Sequence, residues 1–278
     1  MGTGRLYKLA AFTNSPDGGN PAGVWIGEKL PNYGIMQSIA AEVGFSETAF
    51  VEPTNGQHRV VRYFSPEIEV PFCGHATIAT GVLLGETEGD GTYILKTAVG
   101  EVPVSVSIRN RVREASLTSV EPTYVLAEEG LVDAALSILG WRRHDLDPSI
   151  RPAKAYAGAW HLVIAVSEAD RLSKLEYDFE NLKTVMLRED LTTLQLVWRE
   201  SVSMFHSRNP FPVGGVFEDP ATGAAAAALG GYLRAANLIK VPTTINIRQG
   251  EAMGRPSRIF VKIPTSGGIV VSGTAVRI

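Results

Sequence analysis

Glu69-Val70-Pro71-Phe72-Cys73-Gly74-His75 and Glu218-Asp219-Pro220-Ala221-Thr222-Gly223-Ala224 align without a gap. Glutamate, proline and glycine coincide, and the register persists beyond them: Gly81 falls opposite Gly230, and Leu84 opposite Leu233. Each copy reads as a proline-containing turn, a glycine, and then a helix of small residues. Turn stereochemistry can produce such a likeness between unrelated units. The register kept across the following helix favours two pseudo-equivalent halves.

Working outward, short alternating segments predict strands over residues 6–12, 24–26, 45–51, 59–64, 92–95, 102–108 and 115–117. A helical spacing over residues 33–43 stops at Gly44, and a compact apolar helix runs over 73–84. The second half follows the same plan. Helices are expected over 132–139, 178–185 and 224–236, and strands over 161–166, 194–200, 202–205, 244–248, 258–263 and 269–278. The polar break Glu121-Pro122-Thr123 marks the domain junction.

A chain of 278 residues is long for one core and suits two domains. With 45% hydrophobic and 20% charged residues it is neither disordered, fibrous nor a multi-span membrane protein. The formal charge of -3 lacks the basic excess of a nucleic-acid binder. The densest basic runs, Arg109-Asn110-Arg111-Val112-Arg113 and Arg142-Arg143-His144, are short and sit beside acids, so they read as solvated faces. Cys73 is the single cysteine, which removes intramolecular disulfides and cysteine-based structural zinc sites. The Met1-Gly2-Thr3 start leads into no signal-peptide pattern, and Leu6 fails the myristoylation pattern. The expectation is a cytoplasmic protein with neither nucleic acid nor membrane as partner.

A helix that begins at glycine exposes backbone N–H groups at its positive end, which favours anions. Two such starts, Gly74-His75 and Gly223-Ala224, suit a small carboxylate, although ordinary capped core helices look the same in sequence. Glu47 shares a strand face with Phe45, Ala49 and Val51. There, desolvation would raise its pKa toward that of a general acid/base; a twist that meets water or a cation is the other reading. Asp219 reads as a group at the mouth of the second helix or as its N-cap. His75 reads as a proton relay or a structural histidine. The five histidines show no metal-ligand spacing, and no phosphate-binding loop or dinucleotide fingerprint is present, so neither metal nor cofactor is expected. Cys73 reads as a small core residue, with a nucleophile as the alternative.

These segments resemble a known family. Gly19-Asn20-Pro21-Ala22-Gly23-Val24, Gly44-Phe45-Ser46-Glu47-Thr48-Ala49-Phe50, Arg62-Tyr63-Phe64-Ser65-Pro66 and Phe72-Cys73-Gly74-His75-Ala76-Thr77 are similar to signature segments of the PhzF family of phenazine-biosynthesis-like isomerases. So are Glu218-Asp219-Pro220-Ala221-Thr222-Gly223 and Gln249-Gly250-Glu251-Ala252-Met253-Gly254-Arg255-Pro256-Ser257, in the family order.

The resemblance implies an α+β, diaminopimelate-epimerase-like fold with two pseudo-symmetric lobes, each a curved sheet wrapped around a central helix. The N-terminal lobe would span 1–119, with the C-terminal strand 267–278 returning to it. The C-terminal lobe would span 120–266, with the active site in the cleft between them and a homodimer as the frequent assembly. The implied activity is a metal- and cofactor-free proton shift on trans-2,3-dihydro-3-hydroxyanthranilate or a similar small cyclic carboxylate. Glu47 would move the proton, and His75 and Asp219 would bind and orient the substrate. Asn20, Gly74, Gly223 and Ala224 complete the substrate-binding set.

Two departures bear on this reading. Ala224 stands where phenazine-pathway members usually carry serine, and the single cysteine excludes a two-thiol racemase. Epimerase-like proton exchange on another carboxylate, or ligand binding without turnover, are the alternatives.

Overall fold

The computed structural model describes residues 4–109 and 111–278. Met1-Gly2-Thr3, and Asn110 of the basic run, lie outside the described residues. The chain divides into unit 1, Met1–Thr118 with Ser272–Ile278, and unit 2, Ser119–Val271.

Unit 1 contains β1 (Gly4–Ala11), β2 (Asn20–Gly27), α1 (Tyr33–Val43), β3 (Glu47–Pro53), β4 (His58–Phe64), β5 (Glu69–Val70), α2 (Gly74–Glu88), β6 (Gly91–Thr97), β7 (Gly100–Arg109) and β8 (Val112–Thr118). Unit 2 contains β9 (Thr123–Leu126), α3 (Glu129–Leu139), β10 (Ala153–Tyr156), β11 (Trp160–Val166), α4 (Ala169–Ser173), α5 (Phe179–Arg188), β12 (Thr193–Arg199), β13 (Met204–Phe211), β14 (Val216–Asp219), α6 (Gly223–Ala235), β15 (Thr243–Gln249) and β16 (Ser257–Ile263). The last strand, β17 (Val270–Arg277), pairs antiparallel with β1, Leu9 facing Arg277.

The two units are wired alike. In unit 1, β2 runs parallel to β3, β3 antiparallel to β4, β4 antiparallel to β5 and parallel to β6, and β6 antiparallel to β7. In unit 2 the same sequence of pairings joins β11, β12, β13, β14, β15 and β16. Each parallel step needs a crossover, because no tight turn can join parallel strands. In unit 1 the crossovers carry α1 and α2. In unit 2 they carry α4 with α5, and then α6.

α2 and α6 are the central helices. Every residue of α2 from His75 to Gly85 is buried, as is every residue of α6 from Ala225 to Leu233. A helix enclosed on all sides needs no polar face, which explains the small, apolar sequences. The glycines matched in the repeat sit where strands press closest. A Cβ on Gly81 would meet Val104 and Ala115 at 2.7 and 2.9 Å; one on Gly230 would meet Val261 and Ile269 at 3.0 and 3.2 Å. Each unit is thus a sheet wrapped around one helix, the α+β arrangement expected.

Outside the sheets, α1 lays Met36 and Ala40 against Trp25, Phe50 and Phe64. It is capped by Asn32, whose side chain accepts from the Ile35 amide, and ends at Gly44 with φ of 69°. In unit 2, α3 and α5 bury Leu131, Leu136, Leu182 and Met186 with Leu162, Ile164, Leu194 and Leu196. A fully buried polar chain also crosses its sheet. The Thr193 hydroxyl contacts His161 Nδ1 at 2.8 Å and accepts from Asn209 Nδ2 at 3.1 Å, and the same Asn209 amide donates to Gln195 Oε1 at 2.5 Å. Burial pushes the His161 pKa down to about 3.

Some expected boundaries shift. β13 continues to Phe211 rather than stopping at residue 205, β9 occupies part of the presumed polar break, and β10 and β14 are additional strands. Among the described residues, no helix is long and apolar enough to cross a membrane.

Candidate active site

In unit 1 the expected residues converge on one imidazole. His75 is the second residue of α2, Glu47 opens β3, and Asn20 opens β2. The parallel register, Ala22 opposite Glu47, brings the starts of the two strands together. His75 Nδ1 stands 3.3 Å from Asn20 Nδ2, and His75 Nε2 stands 3.4 Å from Glu47 Oε2. Ser46 Oγ is also 3.4 Å from Nε2. An amide nitrogen only donates, so Nδ1 accepts and the ring proton sits on Nε2, facing the carboxylate. The Glu47 side chain is 18% exposed, so the carboxylate reaches solvent although its strand neighbours Thr48 to Val51 are buried. Of the two readings of the alternation, this is the one in which Glu47 meets water.

Cys73 is the N-cap of α2 and makes no side-chain cap bond. Its thiol lies 3.3 Å from His75 Nδ1 and 3.8 Å from Nε2. The cysteine is buried, as a core residue would be, and it packs against His75. The first-turn amides at Gly74 and His75 are not consumed by the helical ladder, which starts with Thr77 N donating to Cys73 O at 3.0 Å.

Unit 2 builds its counterpart with different side chains. β14 ends at Asp219, and the N-cap of α6 is Thr222, so Asp219 is not the cap. The Thr222 hydroxyl donates to Asp219 Oδ2 at 2.5 Å. Buried Gln249 ties the turn together: its Nε2 donates to Asp219 O at 2.7 Å and to Thr222 Oγ1 at 3.0 Å, and its Oε1 accepts from Thr222 N at 3.2 Å. Next to it, Gly250 adopts φ of 75°, and a Cβ there would lie 2.7 Å from the Pro220 carbonyl. Only glycine lets the chain approach the turn this closely. Gly223 and Ala224 form the first turn of α6, with a methyl group where a hydroxyl would be usual in the resembling family.

The repeat extends to electrostatics. Glu69 receives two hydrogen bonds from Arg62, at 2.6 and 2.7 Å, and Glu218 receives its shortest from Arg208 at 2.5 Å. These charge-assisted forks fix the short strand before each proline turn. The Arg62 guanidinium holds the Glu69 carboxyl below its ordinary range. The structure thus gathers Asn20, Glu47, Gly74 and His75 within unit 1, and Asp219, Gly223 and Ala224 within unit 2. Sequence reading gave no site role to Ser46 or Gln249. Gln249 stood inside a quoted motif, but its role depends on a partner turn remote in sequence.

The phenazine biosynthesis-like protein family, PhzC-PhzF, matches residues 9–278. An uncharacterized isomerase of Mesorhizobium japonicum is 32% identical, covering 98% of this chain and 95% of the relative. The trans-2,3-dihydro-3-hydroxyanthranilate isomerase of Pseudomonas fluorescens is also 32% identical, covering 91% of this chain and 88% of the relative. The crystal structure of a PhzF-family phenazine biosynthesis protein of Bacillus anthracis superposes with a TM-score of 0.86 at 24% identity, covering 99% of this chain and 97% of that one. With a family match over nearly its whole length, the chain belongs to the phenazine biosynthesis-like (PhzC-PhzF) family and is one of its isomerases.

Proposed function

We propose that this isomerase shifts a proton between carbons of a small cyclic carboxylate similar to trans-2,3-dihydro-3-hydroxyanthranilate. The observation that carries the reading is the 3.4 Å approach of Glu47 Oε2 to His75 Nε2 beside the start of α2. Glu47 removes a proton from an sp³ carbon and returns it elsewhere on the conjugated system, so the substrate gains and loses nothing overall. The His75 Nε2–H steadies the carboxylate between the two transfers. Backbone amides at the start of α2, Gly74 and His75, bind substrate anion and stabilise developing charge. The substrate class is supported by the 32% identical Pseudomonas fluorescens relative, which carries that substrate in its name.

Ala224 favours a second reading, epimerase-like proton exchange on a different carboxylate. Both readings are tested with a panel of small cyclic amino and hydroxy carboxylates that includes the dihydro-hydroxyanthranilate. Solvent-deuterium incorporation is read by mass spectrometry, and product by absorbance in the same samples. A positional isomer as product supports the first reading; inversion with deuterium at the same carbon supports the second. Neither exchange nor product, with ligand binding retained, would sink both.

A further inference from the structure

On the face of the unit 2 sheet that α4 covers, three strands set Trp198, His206 and Arg248 in one row. Trp198 stands opposite His206 in the antiparallel register of β12 and β13, and His206 opposite Arg248 in the parallel register of β13 and β15. Their strand neighbours Val197, Phe205 and Ile247 are buried on the other face. A cavity of about 360 Å³ opens over the row, within the size range of small-molecule pockets. α4 contributes Leu172 to its wall, and the turn after β15 contributes Glu251 and Ala252. Asn20, Glu47, His75 and Asp219 are not among its lining residues.

The charges around this cavity are only partly matched. Arg208 is engaged by Glu218 at 2.5 Å and by Ser173 O at 3.0 Å. Arg248 is half-buried and makes no hydrogen bond or ion pair among the described residues. Glu200 feels its charge, but that carboxylate already meets His206 Nε2 at 2.7 Å. At the other nitrogen of the same ring, Glu251 Oε2 stands 3.6 Å from Nδ1, beyond hydrogen-bond reach. The cavity therefore presents an indole wall, a guanidinium and a carboxylate, and both charged groups have bonding capacity left.

We propose that this cavity binds a small amino carboxylate with an apolar, ring-bearing side chain. Arg248 takes the carboxylate, for which the planar guanidinium fork is suited. Glu251 takes the ammonium group, and the ring lies against Trp198 and Leu172. A ligand with one charge alone leaves one of the two groups unmatched: a plain carboxylate meets Glu251, and a plain amine meets Arg248.

The site is tested by calorimetric titration of the full-length protein with L-phenylalanine, 3-phenylpropanoate and phenethylamine, which share a ring and differ in charge. L-Phenylalanine should saturate at one per chain and bind at least about tenfold more tightly than either singly charged probe. Arg248→Met and Glu251→Gln should each weaken L-phenylalanine by about tenfold or more. Phenethylamine should bind Arg248→Met no more weakly than it binds the parent, and 3-phenylpropanoate should do the same with Glu251→Gln. These retained affinities distinguish a lost contact from a lost fold. Absence of saturable L-phenylalanine binding at millimolar concentrations overturns the site, as does equal affinity for the three probes. L-Phenylalanine binding that is lost in His75→Asn and unchanged in Arg248→Met places the ligand in the candidate active site and overturns the proposal.

Discussion

The side-chain amide of Asn20 stands 3.3 Å from Nδ1 of His75, while the opposite ring nitrogen faces Glu47. With the amide nitrogen at Nδ1, the ring proton falls on Nε2 and the carboxylate opposite meets a donor. In the proposed mechanism Asn20 acts through His75, as a positioning residue.

Replacing that amide by a carboxylate reverses the polarity of the contact. In Asn20→Asp, the new acceptor draws the ring proton to Nδ1 and turns the bare Nε2 toward Glu47. The kcat should fall by about tenfold or more, with a smaller change in KM. Asn20→Ala, which removes the contact without reversing it, should lose less. Equal losses in the two variants would reduce Asn20 to a packing role.

Glu47→Gln keeps the shape of the side chain and removes its basicity. Turnover should fall by about two to four orders of magnitude while the circular dichroism spectrum and thermal midpoint stay near those of the parent. Near-full activity in this variant would defeat the assignment of Glu47 as the proton carrier.

The two arginine forks separate burial from geometry. The Arg208 and Glu218 side chains are 13% and 2% exposed, whereas those of Arg62 and Glu69 are 34% and 28% exposed. Glu218→Ala strands a buried guanidinium and should cost about 3–5 kcal/mol in urea unfolding. Glu69→Ala leaves a solvated one and should cost about 1 kcal/mol or less. Equal losses at the two positions would contradict this account.

His161 makes unit 2 sensitive to acid. Its folded pKa is about 3 against 6.5 for the free side chain, so the unfolded chain binds the proton first. The contribution is therefore complete above pH 6.5 and is lost as pH falls toward about 3. Between pH 7 and pH 5 the parent should lose about 2 kcal/mol that His161→Gln does not lose. Parallel stability curves for the two proteins would show that His161 does not carry the effect.

Several features were readable because they are local. The ungapped Glu-x-Pro-x-x-Gly match announces two similar turns, and Gly44 announces the end of α1. What escaped depends on partners far along the chain. Arg208, Asn209 and Pro210 do not look like strand residues. They continue β13 because Arg208 meets Glu218 and Asn209 joins the buried Thr193–Gln195 chain. Four-residue strands such as β10 carry too few alternations to stand out. Asp219 could be read as a cap because the position of Thr222 as the N-cap, held by Gln249, is set by a strand close to the C-terminal end. Cys73 looked inert because sequence order does not show which edge of an imidazole a thiol will meet.

The pairing of β17 with β1 has a consequence for how the chain is made. Ser119–Val271 is one uninterrupted stretch, so on the ribosome unit 2 has all its residues before Ser272 is added. Unit 1 begins first but lacks Ser272–Ile278 until after Val271 has been added. Until then the β1 backbone around Leu9 to Ala11 has β2 on one side and lacks β17 on the other. The half that carries Glu47 and His75 is thus begun early and closed late, and a nascent chain stalled shortly before residue 272 should hold a complete second unit beside an unfinished first one.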